Sequence, residues 1–177
     1  EVTPKPYSAL TIASNSGLLA VISCDCAISV AFDPQIPVGQ RPPFKQFNGI
    51  WDTGATGCAI TQKVVDDCGL KPHRMDEVRH GGGKELCEFY LINLGLPNGV
   101  AFANVEASKL ALDGAHVLIG MNIITAGDLT ITNVNNRTVF SFRVPSLGAA
   151  DFVKQQKELA AAPKNPKRVN KFGQPLR

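Results

Sequence analysis

Short apolar stretches rich in Val, Ile and Phe recur along the chain between clusters of Gly, Pro, Asn and Asp, and this spacing is the main structural signal. Residues 8–14, 18–23 and 27–32 carry the β-branched, partly alternating pattern of strands, with Asn15-Ser16-Gly17 as a hairpin turn between the first two. Pro34, Pro37, Pro42 and Pro43 mark residues 33–45 as a loop, and residues 47–51 form a short apolar strand ending at Trp51. Thr61 reads as the N-cap of a helix over 62–68, with Val64, Val65 and Cys68 on its apolar face and Gly69 as its stop. Extended segments at 77–79 and 85–94 flank the run Gly81-Gly82-Gly83. Further strands are expected at 100–107 and 116–119, a short helix at 122–126, and closing strands at 128–133 and 137–144. Short strands at regular intervals with two small helices predict a mainly β, barrel-like domain over residues 1–146.

Residues 149–162 follow a different period. Phe152, Val153, Leu159 and Ala160 recur at i, i+1, i+7 and i+8, which makes an amphipathic helix stopped by Pro163. Beyond it no periodicity remains, so residues 147–177 are expected to be a helix and a basic, disordered tail. The charge supports that division. Of the net +3, residues 151–177 hold seven Lys/Arg and two Asp/Glu, leaving residues 1–150 with eleven basic against thirteen acidic side chains.

At 177 residues the chain is long enough for one well-buried core, and no run of 18 apolar residues suggests a membrane span. Five cysteines, an odd number without zinc-ribbon spacing, fit a reducing compartment, so a cytoplasmic location is expected. Cys24 and Cys26 alternate within one strand and read as small core hydrophobes.

The most informative chemistry is Asp52-Thr53-Gly54-Ala55, an acidic loop directly after the apolar strand. Two further segments follow in order: the glycine run preceded by His80, and Val117-Leu118-Ile119-Gly120-Met121-Asn122, two apolar residues and a glycine leading into a helix. A stretch reading Gly127-Asp128-Leu129-Thr130-Ile131 and then Asn136-Arg137-Thr138-Val139-Phe140 completes the series. Over about residues 45–143 the chain resembles the retropepsin-like aspartic peptidases, retroviral, bacterial and cellular.

That resemblance implies a closed barrel of the acid-protease half-lobe type and a peptidase needing no metal or other cofactor. Its chemistry requires one ionised carboxyl to take a proton from water and one protonated carboxyl to polarise the scissile carbonyl. One Asp-Thr-Gly loop supplies half of this, so the resemblance implies a homodimer with Asp52 and its mate across a two-fold axis. Terminal strands would contribute to the dimer. Thr53 would offer its hydroxyl to the partner loop, and Gly54 would permit the tight turn. His80, Gly81, Gly82 and Gly83 would form a flap over a peptide or protein substrate, and Leu118, Ile119 and Gly120 would support the loop from below. Two departures bear on the dimer. Thr56 stands where retroviral enzymes have an acid, and Met121 where they have an arginine, so their intersubunit ion pairs are missing.

Rival chemistries are weaker. His80-Gly81-Gly82-Gly83 resembles an esterase oxyanion loop, but no G-x-S-x-G elbow exists, and Gly83-Lys84 lacks the remaining residues of a phosphate-binding loop. Cys58 paired with His73, His80 or His116 would be a nucleophile, although a cysteine there is more often packed. A retropepsin-like module that binds peptides or dimerises without cleaving is the main alternative, and a nucleic-acid contact through residues 154–177 is a third.

Overall fold

A computed structural model describes residues 6–80 and 83–161. The elements are β1 (Ser8–Ala13), β2 (Ser23–Val30), β3 (Lys45–Trp51), β4 (Cys58–Ile60), α1 (Gln62–Cys68), β5 (Arg74–His80), β6 (Gly83–Gly95), β7 (Ala101–Lys109), β8 (Val117–Ile119), α2 (Met121–Ile124), β9 (Asp128–Thr132), β10 (Val139–Val144) and α3 (Phe152–Ala161). The chain divides into two compact units, residues 1–147 and 148–177. In the second unit α3 buries none of its residues, and residues 162–177, where a disordered basic tail is expected, lie outside those described.

The first unit is mainly β. Strands β2-β3-β8-β4-β7-β6 are hydrogen-bonded in that order, and pairing of β6 back to β2 closes them into a six-stranded barrel. Closure removes the exposed sheet edges that an open array of these strands would leave. Strand β5 is added outside it as the first arm of an antiparallel hairpin with β6. Ile28, Ile60, Ile92, Leu94, Val117 and Ile119 fill the interior, each fully removed from solvent.

A separate sheet of order β1-β10-β9 is built from both ends of this unit. Phe140 and Phe142 face inward and are paired in register: Leu10 and Leu129 flank Phe142, and Ile12 and the exposed Ile131 flank Phe140. Trp51 packs on both rings, with centroids 5.0 Å away in each case. The strand that delivers the acidic loop is thereby anchored to the terminal strands.

The hairpin expected around Asn15-Ser16-Gly17 does not form. Strand β1 pairs with β10, and residues 18–22 are not a strand. The turn itself is real, with Gly17 at φ 74 and the Ser14 hydroxyl donating to its carbonyl at 2.6 Å. It carries the chain from the terminal sheet into the barrel instead of folding one strand on the next. Thr138, buried, holds it there: its hydroxyl accepts the Leu19 N–H and donates to Asn133 Oδ1, and its carbonyl accepts the Ser14 N–H.

Elsewhere the local signals act as read. α1 ends at Gly69, which is left-handed at φ 64 and ψ 37, as a helix stop requires. Thr61 has the extended backbone of an N-cap, yet its hydroxyl contacts His116 Nδ1 at 3.3 Å rather than capping the helix. The one strand with no sequence signal is β4. It is three residues long, paired with β7 on one edge and β8 on the other, and all three residues are buried, so it shows no alternation.

Candidate active site

The Asp52 loop leaves the barrel at the end of β3. Parallel pairing of β3 with β8 places Trp51 opposite Ile119, and the Asp52 N–H extends that ladder by donating to the Ile119 carbonyl at 3.0 Å. The side chain then turns back on its own loop, where Asp52 Oδ1 accepts the Gly54 N–H at 2.7 Å. This is an Asx-type turn, which fixes the orientation of the carboxylate without burying it. Position 54 has little room: a Cβ there would sit 3.2 Å from that same oxygen.

The far side of the loop is clasped from beneath. Ala55 and Thr56 offer their carbonyls to the N–H groups of Met121 and Asn122, at 2.8 and 3.2 Å, which satisfies two otherwise unpaired donors at the start of α2. This approach is possible because residue 120 is glycine. A Cβ there would lie 2.2 Å from the Gly57 carbonyl oxygen, 2.5 Å from its carbon and 3.0 Å from the Ala55 oxygen. Asn122 adds a second fastening, accepting from the Cys58 thiol at 3.1 Å and donating to the Glu106 carbonyl at 3.2 Å.

Asp52, Thr53, Gly54, Ala55, Ile119 and Gly120 are thus brought together, with Leu118 paired between Ile50 and Ala59 on the strand below. Asp52 is half-exposed, Thr53 and Gly54 are exposed, and Ile119 and Gly120 are buried. His80 and Gly83 face each other in register at the end of the β5–β6 hairpin, a different element. Gly81 and Gly82 lie outside the described residues.

Asp52 and Thr53 also border a pocket of about 340 Å³ whose remaining walls are apolar, among them Val21, Ile50, Ile131 and Phe140. Sequence reasoning did not find these walls. The run 18–22 has the composition of a strand, so nothing marked Leu18 and Val21 as exposed. A larger pocket of about 500 Å³, lined by Thr61, Lys109 and His116 among others, lies at the opposite end of β8, where the His116 N–H donates to the Asn48 carbonyl.

The cysteine-nucleophile reading finds no support. Cys58 is buried, and burial pushes its thiol up to about 11, against the thiolate that catalysis needs. His73 is paired with Glu106 at 2.9 Å and His116 with Thr61. Among the described residues, no group of three or more His, Cys, Asp or Glu side chains is arranged to hold a metal ion. Nor is any helix there long and apolar enough to cross a membrane.

Solved structures similar to this chain include two proteases. A retropepsin-like aspartic protease from Rickettsia conorii is 10% identical, with 81% of this chain and 99% of that one covered and a TM-score of 0.48. The solution structure of simian foamy virus (mac) protease is 14% identical, with 58% and 91% covered and a TM-score of 0.37. The likeness is one of fold. No protein-family model matches the chain, and no curated protein matches it in sequence.

Proposed function

We propose that this chain is an aspartic endopeptidase that acts as a homodimer, hydrolysing peptide bonds with water activated between two Asp52 carboxyls, one from each subunit. The observation that carries this reading is a half-exposed carboxylate in an Asp-Thr-Gly-Ala loop, aimed by the Gly54 N–H at 2.7 Å and clasped from below across Gly120. Electrostatic chemistry of this kind depends on a carboxyl already held in place before substrate arrives.

In the proposed reaction the ionised Asp52 takes a proton from water as the water oxygen bonds to the scissile carbonyl carbon. The protonated Asp52 of the other subunit donates to the carbonyl oxygen. Collapse of the tetrahedral diol breaks the C–N bond: the carboxyl that took the water proton passes it to the leaving amine, and the other carboxylate takes a proton back from a diol hydroxyl, which restores one proton to the pair. Two carboxyls about 3 Å apart cannot both ionise, which sets up the division of roles. Thr53 would reach the partner loop, and His80 to Gly83 would close over an extended peptide as a flap.

Incubating the wild type and Asp52→Asn with a mixed peptide library at several pH values tests this. Asparagine keeps an oxygen to accept the Gly54 N–H, so the loop should persist while cleavage disappears. Cleavage that survives the substitution would remove Asp52 from the mechanism. Peptide retention without cleavage by either protein would favour a binding module.

A further inference from the structure

We infer that α3 lies on an anionic membrane surface with its apolar face against the lipid, and that the basic residues on it and after it engage the headgroups. The inference stands apart from the peptidase reading. The helix is specified at both ends. Asp151 caps it, the carboxylate accepting the Lys154 N–H at 2.9 Å and the carbonyl accepting the Gln155 N–H at 3.0 Å, and Pro163 follows its last turn. Yet none of its ten residues is buried. A helix of that length is marginal in water by itself, so a surface that covers one face would supply the stability it lacks.

That face is well defined. At about 100° per residue, Phe152, Val153, Leu159 and Ala160 fall within an arc of about 120°, in which Gln156 is the one polar side chain. Phe152, Val153 and Leu159 are 74%, 60% and 77% exposed. Lys154 and Lys157 lie outside the arc, Lys157 at its border, where a long side chain reaches headgroups while the stripe meets acyl chains.

The charge selects the kind of surface. Residues 151–177 hold seven Lys/Arg and two Asp/Glu, whereas residues 1–150 are net acidic. Both acids are engaged, Asp151 in the cap and Glu158 at 4.0 Å from Lys154. Residues 163–177 carry five Lys/Arg and no acid, with Val169, Phe172 and Leu176 interleaved. One weak anchor holds a protein to a bilayer only transiently, so an apolar helix face and a polybasic stretch are effective together. Nucleic acid would engage the lysines and arginines but leave Phe152, Val153 and Leu159 in water. An anionic bilayer uses both features.

Flotation of the full chain with vesicles of phosphatidylcholine, alone or with about 30% phosphatidylserine, at about 0.1 M and about 0.5 M NaCl tests this. The wild type should bind the anionic vesicles at least about tenfold more tightly than the neutral ones, and lose most of that binding at the higher salt. Phe152→Ser combined with Leu159→Ser should weaken it at least about tenfold, and so should Lys164→Gln, Lys167→Gln and Arg168→Gln together. Thermal unfolding should match wild type in the serine variant, since α3 buries none of its residues. No flotation, equal flotation with neutral vesicles, or vesicle binding indifferent to Phe152 and Leu159 would overturn the inference. So would a single-stranded RNA oligonucleotide that binds more tightly than anionic vesicles and is unaffected by the serine substitutions, which would assign the surface to nucleic acid.

Discussion

Replacing Gly120 by alanine tests whether the loop depends on contact between two stretches of main chain. The added methyl would begin 2.2 Å from the Gly57 carbonyl oxygen and 2.5 Å from its carbon. That is about 1 Å short of a tolerable separation, and both sides of the contact are backbone, so no side-chain rotation relieves it. The junction of β8 and α2 must therefore move away from residues 55–57, stretching the Met121–Ala55 and Asn122–Thr56 hydrogen bonds. Overpacking at about 1–3 kcal/mol and two hydrogen bonds at about 0.5–1.5 kcal/mol each give a loss of about 2–6 kcal/mol. At about 2–4 °C per kcal/mol for a domain of this size, Tm should fall by at least about 4 °C. Any residual peptide cleavage should drop about 100-fold, because the carboxylate shifts with its loop. The assay is thermal and urea unfolding of Gly120→Ala beside Gly57→Ala, whose added methyl meets nothing within 4 Å. Equal stability of the two variants, within about 1 kcal/mol of wild type, would refute the close-approach argument.

Other outcomes follow from the charged and thiol groups. The Asp128 carboxylate accepts from the Ser146 hydroxyl, the Leu147 N–H and the Arg143 guanidinium, which together hold its pKa well below the usual carboxylate range. A depressed folded-state pKa gives stability that is complete above the unfolded value, about 3.9, and is lost as pH falls toward the folded value. Asp128→Asn should therefore lower Tm at neutral pH, and the gap from wild type should close below about pH 4; a gap that widens on acidification would contradict the assignment. Burial raises the Cys26 and Cys58 thiols to about 12 and about 11. Both should resist iodoacetamide in the native protein at about pH 8 and label once guanidinium exposes them, as read by mass spectrometry; rapid native labelling of either would show that the core is open there.

Much of the barrel and the loop was legible because their signals are local. Asp52, Gly54 and Gly120 stand at a strand end, a tight turn and a close approach, each leaving a mark in residue type. Gly69 likewise announced the end of α1 through its left-handed backbone. What the sequence concealed depends on partners distant along the chain. Strand β1 has a partner more than a hundred residues away in β10, which no neighbouring turn could announce. Strand β4 escaped notice because burial on both sides erased its alternation. Residues 18–23 read as a strand, and nothing in that pattern marked Leu18 and Val21 as exposed, since an apolar side chain facing water is spelled the same way as one facing inward.

The stacking of Trp51 on Phe140 and Phe142 sets an order for assembly during synthesis. The barrel strands, and with them Asp52, leave the ribosome well before β10, so Trp51 must wait for the rings that cover it. Contacts spanning so much sequence close late, because the intervening loop entropy must be overcome first. A nascent chain halted before residue 139 would carry the acidic triplet on an unroofed tryptophan. Maturation of the site is thereby coupled to completion of the terminal sheet.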